Sequence, residues 1–171
     1  EQVAALSLQG PKSRAVLNRC CETSVDGIKF FRMAPNVLAG KAVTISRTGY
    51  TGDLGYEIWL DAADALPAWD ALLERGNDFG IAPCGILAMD MARVEAGLFM
   101  LDVDYTAANH AWIPAQKSSP YEMGLGWTVA LDKPGYFVGR DAVLARKAAG
   151  PLTRRLVSVK VLDPEPLLYH A

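Results

Sequence analysis

The sequence predicts a mixed domain of strands and helices, and three observations carry that prediction. Residues 42–46 and 54–60 alternate apolar and polar side chains with period two, as half-buried strands do. Residues 12–20, 64–75 and 85–96 carry apolar side chains at helical spacing. Most glycine and proline fall between these runs, apart from Gly55, Gly85 at the start of the last run, and Pro67 in the first turn of a helix, where proline is tolerated. The 171 residues are 51% hydrophobic and 21% charged, which excludes a disordered chain and leaves room for one domain, or one domain and a fragment.

In order, residues 3–8 read as a strand, and Gln9-Gly10-Pro11 turns the chain into the helix over 12–20, where Pro11 suits the first turn. Ile28 to Phe31 reads as a second strand, and Pro35-Asn36 as a loop. Residues 42–46 form a β-branched third strand. The turn cluster Arg47-Thr48-Gly49-Tyr50-Thr51-Gly52-Asp53 leads into the strand over 54–60. Asp64 is expected to cap the next helix, and Gly76 to end it. Gly97 ends the helix over 85–96, and residues 98–119 lack periodicity. Residues 124–131 read as a strand, 139–148 as a helix, Gly150-Pro151 as a boundary and 155–161 as a last strand.

Charge and residue counts narrow the function. Seventeen Lys and Arg against nineteen Asp and Glu give a net charge of −2. That balance, with no basic run, lacks the footprint of a nucleic-acid binder. No apolar run approaches the ~20 residues of a membrane span. The start, Glu1-Gln2-Val3, carries no basic n-region and reads as cut from a longer chain. Cys20, Cys21 and Cys84 have no C-x-x-C spacing and read as small core thiols in a reducing, cytoplasmic setting. With only His110 and His170, no metal site and no Ser-His-Asp triad are expected.

The strand over 54–60 holds the first candidate for chemistry. Period two sends Leu54, Tyr56, Ile58 and Leu60 to a core face and Gly55, Glu57 and Trp59 to the other. A carboxylate between a glycine and an indole can accept two parallel hydrogen bonds from the N–H edge of a flat heterocycle. The same residue also reads as a solvated Glu on an edge strand. Asp90 and Arg93, three apart on an apolar helix, read as a structural pair, and Glu95 as structural or solvated. Asp102 and Asp104 lack the third ligand of a calcium loop. His110 reads as a proton carrier or a packed loop residue, and Glu122 as a cleft or turn residue. Gly49, Gly52 and Gly55, three apart, match neither a Walker nor a dinucleotide fingerprint.

Six runs together resemble the folate-binding aminomethyltransferase family, the T-protein of the glycine cleavage system and its relatives. They are Leu8-Gln9-Gly10-Pro11, the run from Ser46-Arg47-Thr48-Gly49-Tyr50-Thr51-Gly52 through Gly55-Tyr56-Glu57, Pro83-Cys84-Gly85, Arg93-Val94-Glu95-Ala96-Gly97-Leu98, Ser119-Pro120-Tyr121-Glu122 through Gly126-Trp127, and Phe137-Val138-Gly139-Arg140. They follow the family's order across about residues 5–160. The resemblance implies an α+β folate-binding part over residues 1–150, with 151–171 opening a β-barrel. It implies tetrahydrofolate as the one-carbon acceptor, a small-molecule aminomethyl or methyl donor, a lipoyl carrier protein as a partner, and no nucleic acid or membrane. It also implies that Glu57 holds the pterin, with Tyr56, Trp59 or Trp127 as an aromatic wall. The family's catalytic acid lies upstream of Leu8, so no catalytic residue is assigned and these residues alone are expected to be inactive. Met89 stands where glycine-cleavage members carry an Arg, and it lacks that residue's fork of donors, which favours a donor other than the lipoyl-bound one. Two other readings are a folate-binding module without transfer activity and the folate-handling part of a flavin-dependent dimethylglycine or sarcosine oxidising enzyme.

Overall fold

The computed structural model describes residues 2–160 and 162. The chain divides into two compact units, Glu1–Phe99 and Met100–Ala171.

The first unit is α+β, built on a four-stranded antiparallel sheet of order β1-β4-β3-β2. Its elements are β1 (Val3–Gln9), α1 (Ser13–Cys20), β2 (Met33–Leu38), β3 (Lys41–Ser46), β4 (Gly55–Asp61), α2 (Ala65–Gly76) and α3 (Ile86–Glu95). Alternation decides which face is buried. Leu8, Val43, Ile45, Tyr56, Ile58 and Leu60 form a core with Val16 and Leu17 of α1 and Ala68 and Leu72 of α2. Ser7, Glu57 and Ser46 sit opposite one another on the other face, as a row across β1, β4 and β3. β4 is therefore an interior strand, not the edge that one reading of Glu57 assumed.

Several sequence expectations are corrected here. The second strand is Met33–Leu38, not Ile28 to Phe31, and Pro35 lies inside it. Proline is admitted because β2 is the sheet's edge and Pro35 withholds no N–H that an interior ladder requires. Ile28 to Phe31 instead forms a turn, with Phe31 at φ 56° and the Arg32 N–H donating to the Lys29 carbonyl at 3.0 Å. Asn36, read as a loop residue, uses its side chain against the backbone of Thr23, at 3.2 and 2.8 Å. Ala39 and Gly40 join β2 to β3 with φ of 49° and 79°, the left-handed pair that a two-residue hairpin demands.

Asp61 rather than Asp64 caps the start of the helical stretch, accepting from the Ala63 N–H at 2.9 Å. Asp64 pairs with Lys41 at 2.7 Å instead. Cys20 is buried and Cys21 half-buried, but Cys84 is exposed, which corrects its assignment to the core. Burial pushes the Cys21 thiol up to about 12, reinforced by Cys20. α3 leaves Ile86, Leu87, Met91 and Val94 exposed.

The second unit holds α4 (Arg140–Ala148) and two 3-10 turns, Pro114–Gln116 and Gly126–Thr128. Residues 124–131 do not form the expected strand. All strands of the described sheet lie between residues 3 and 61, and the Thr128 and Val129 N–H groups bond locally to Leu125 and Gly126. A β-strand needs a ladder partner, and local turn bonds replace it here. Residues 155–160 likewise form no strand, and Val161 lies outside the described residues. Glu122 binds this unit together. Its carboxylate accepts from the Ser119 N–H at 2.7 Å, from Arg154 Nε at 3.1 Å and from Arg146 at 3.4 Å, and its carbonyl accepts from the Leu156 N–H at 2.9 Å. The Ser119 backbone N–H, ahead of its hydroxyl and Arg154, lowers the Glu122 carboxyl from its ordinary 4.5 to about 2.

Two outcomes follow. Replacing Ile58 with Ala, a fully buried side chain, is expected to cost about 2–5 kcal/mol. Trp59→Ala, one residue along on the open face, is expected to cost under about 1 kcal/mol, and urea unfolding of both variants measures the contrast. Glu122 carries the pH test. Its folded pKa is depressed, so the unfolded state binds the proton first, and the stabilisation is complete above about 4.5 and fades as pH falls toward 2. Thermal melts should lose stability across that window, and Glu122→Gln should flatten the dependence and cost about 1.5–3 kcal/mol at neutral pH.

Candidate functional site

The candidate site lies on the open face of the first unit's sheet, where β3 and β4 meet. Ser46 ends β3, Thr48 follows in the connecting loop, and Glu57 and Trp59 project from β4. Their polar atoms form one directional chain. Trp59 Nε1 donates to Ser46 Oγ at 3.4 Å. Ser46 Oγ and Thr48 Oγ1 lie 2.7 Å apart, and Thr48 Oγ1 donates to Glu57 Oε2 at 2.5 Å. Thr48 has a single hydroxyl proton and commits it to Glu57, so Ser46 must donate to Thr48. Each hydroxyl is thus polarised toward the carboxylate. Glu57 is half-buried, and its other oxygen, Oε1, has no hydrogen-bond partner among the described residues. Trp59 keeps 42% of its surface exposed beside it.

Glycine spacing in the loop has a steric cause. The Gln9 side chain lies across Gly49 and Gly55, and a Cβ at either position would collide with its amide. Gln9 Nε2 donates to the Tyr56 carbonyl at 3.3 Å and to Ser7 Oγ at 3.1 Å. Thr51 Oγ1 donates to Gln9 Oε1 at 3.4 Å. Gly52, at φ 76°, presses against Ala96 just past α3, and the Tyr50 hydroxyl donates to the Phe99 carbonyl at 2.8 Å. The loop is therefore anchored at both ends, which holds Thr48 against Glu57.

The other sequence candidates fall elsewhere. Tyr56 is fully buried on the core face, and Arg14 Nε donates to its hydroxyl at 3.1 Å. One residue of register puts it on the side of the sheet away from Glu57, so the two cannot wall the same ligand, which corrects Tyr56 as an aromatic wall. Trp127 belongs to the second unit, in the Gly126–Thr128 turn, and is 83% exposed.

Asp90 and Arg93 pair at 2.7 Å, and Arg93 also donates to the Leu98 carbonyl at 3.2 Å. Arg93 is 3% exposed, so the pair fastens α3 to the turn at Gly97. In the second unit Asp102, at φ 59°, meets His110 Nδ1 at 2.7 Å. The Ala107 N–H, with a smaller contribution from His110, lowers the Asp102 carboxyl. Asp104 accepts from the Met100 N–H at 2.6 Å. Glu122 lines a hollow of about 390 Å³ with Asp104, Tyr105 and Arg154. Among the described residues, no group of three or more His, Cys, Asp or Glu side chains is arranged to hold a metal, and no helix is long and apolar enough to cross a membrane.

Ser46 and Thr48 are the residues of this polar chain that residue-level reading passed over. The period-two pattern places Ser46 on the polar face of β3, which is the one local signal. Thr48 sits in the loop after β3, and its hydrogen bond to Glu57 is a tertiary contact that local pattern does not show.

Residues 1–133 match the family model described as the GCVT N-terminal domain. The aminomethyltransferase of Halothermothrix orenii is 40% identical over 161 residues, covering 94% of this chain and 42% of that protein. The aminomethyltransferase of Shouchella clausii is 38% identical over 163 residues, 95% of this chain and 42% of the relative. The chain thus spans less than half the length of the curated relatives it matches. The crystal structure of glycine cleavage system aminomethyltransferase T from Bartonella henselae shares the fold, with a TM-score of 0.50 at 18% identity over 87% of this chain and 62% of that one. With a family match across most of its length, the chain belongs to the GCVT N-terminal domain family.

Proposed function

We propose that this chain is the folate-handling portion of a tetrahydrofolate-dependent one-carbon transferase, with Glu57 as the acceptor for the pterin's N–H edge. The observation that supports the reading is the polarised chain from Trp59 through Ser46 and Thr48 to Glu57. It fixes one carboxylate oxygen and leaves Oε1 to accept from a ligand. The residues suit a reduced pterin, since a half-buried acceptor beside a partly exposed indole matches a flat ring with N–H donors along one edge. The bound folate would supply the nucleophilic nitrogen that receives the one-carbon unit. The protein's part is positional: Glu57 sets the ring's rotation, Thr48 sets Glu57, and Trp59 offers an apolar surface. Trp127, exposed in its own unit, is a second aromatic candidate.

The donor is an aminomethyl- or methyl-bearing small molecule. The aminomethyltransferase relatives favour aminomethyl transfer, and the family resemblance adds a lipoyl carrier protein as partner, whereas Met89 favours another amine, ether or thioether donor. In this reading residues 1–150 belong to the folate-binding domain and 151–171 open a barrel. The three free thiols fit a reducing, cytoplasmic setting.

Calorimetric titration of the protein with tetrahydrofolate tests the reading. Glu57→Gln keeps the shape but removes the charge, and is expected to weaken binding by about 1–3 kcal/mol. Thr48→Val unfastens the carboxylate without touching the ligand and is expected to weaken binding by about 0.5–1.5 kcal/mol. Unchanged affinity in Glu57→Gln removes the pterin assignment.

A further inference from the structure

A second concave feature of the first unit lies on the other side of the sheet from Glu57. It is a hollow of about 470 Å³ lined by Pro11, Arg14, Ala15, Asn18, Arg47 and Leu54. Arg14 belongs to α1, which covers the core face, and its Nε donates to the core-face hydroxyl of Tyr56. Among the described residues no carboxylate lines the hollow, although two arginines do.

Arg47 is the more informative of the two. Its backbone is fixed by the Phe31 N–H donating to its carbonyl at 3.1 Å and by its own N–H donating to Arg32 at 2.9 Å. Its side chain is half-buried, and its acceptor among the described residues is the Ile28 carbonyl at a long 3.4 Å. Nε is buried and has no hydrogen-bond partner, and no carboxylate lies within ion-pair distance of the group among the described residues. A partly desolvated positive charge without a counter-charge is unfavourable, and an external anion relieves that cost. Arg14 is steadied by Tyr56 and, at 3.8 Å, by Asp26. Asn18 spends its amide on Asp26 and on the Val25 N–H, so it is not a free recognition group. The remaining lining, Pro11, Ala15 and Leu54, is apolar.

We propose that this hollow is a second ligand site, separate from the Glu57 face, that takes an oxyanion head group on a short apolar body. Arg14 and Arg47 line the hollow, and the planar fork of an arginine matches a carboxylate or a phosphate through two parallel bonds. Pro11, Ala15 and Leu54 cover the body. The apolar share of the lining favours a small organic acid over a bare anion.

Calorimetry in a chloride buffer, with glutarate and inorganic phosphate as separate probes, tests the proposal. At least one is expected to bind with a Kd of about 1–10 mM. Tighter glutarate assigns an organic acid, and tighter phosphate assigns a phosphoryl group. Arg47→Gln is expected to weaken the better probe by roughly tenfold or more. Ala15 is exposed on α1, so Ala15→Phe fills the hollow without disturbing the core and is expected to weaken binding to a similar degree. Circular dichroism and melting temperature report whether each variant is folded. Glu57→Gln is expected to leave anion binding unchanged, so this site and the folate site fail or stand separately. Absence of binding by both probes, or binding that survives both Arg47→Gln and Ala15→Phe, overturns the proposal.

Discussion

The structure of the first unit turns on the pleat of β4. Tyr56, Ile58 and Leu60 enter the core because their neighbours in register, Leu8 and Leu6 on β1 and Ile45 and Val43 on β3, are apolar on the same side. That burial fixes the register, since a slip of one residue would expose three large apolar side chains and bury Glu57. Once the register is set, Glu57 has no choice of face. It stands between Ser7 and Ser46, and the loop from Arg47 to Leu54 brings the Thr48 hydroxyl to within 2.5 Å of it. The hydrophobic core and the polar chain are therefore two sides of one constraint.

The two faces of β4 also divide the chemistry. Tyr56, on the core side, spends its hydroxyl on Arg14 of α1, and that bond helps position a cation at the rim of the hollow there. On the open side, Trp59, Ser46 and Thr48 pass hydrogen-bond polarisation to one oxygen of Glu57. Alternate residues of a single strand thus bond to an arginine on one side of the sheet and accept a hydrogen bond on the other. Gln9 braces the arrangement from β1, and only glycine at positions 49 and 55 leaves it room.

Where the sequence was readable, period and burial agreed. β3, β4, α1 and α2 show their apolar periodicity directly, and the face that carries Glu57 and Trp59 follows from alternation alone. β2 was hidden because Pro35 reads as a break, and its tolerance depends on an edge position that only the sheet order reveals. The Ala39-Gly40 hairpin lacks the usual Asn-Gly or Asp-Gly signal, since Ala39 adopts a left-handed conformation without a polar side chain to favour it. Residues 124–131 have strand composition but turn geometry, because composition does not supply a pairing partner. In the site, Glu57 was legible from its strand. Thr48 was not, because its role is set by a contact nine residues away that local pattern does not encode.

The most direct test of the account is a nuclear magnetic resonance titration with tetrahydrofolate that follows the Glu57 side-chain carboxyl carbon, the Trp59 indole N–H and the Tyr56 ring together. The account predicts saturable shifts at Glu57 and Trp59, with the Tyr56 ring unmoved behind the sheet. Stationary Glu57 and Trp59 signals at saturating ligand would contradict it.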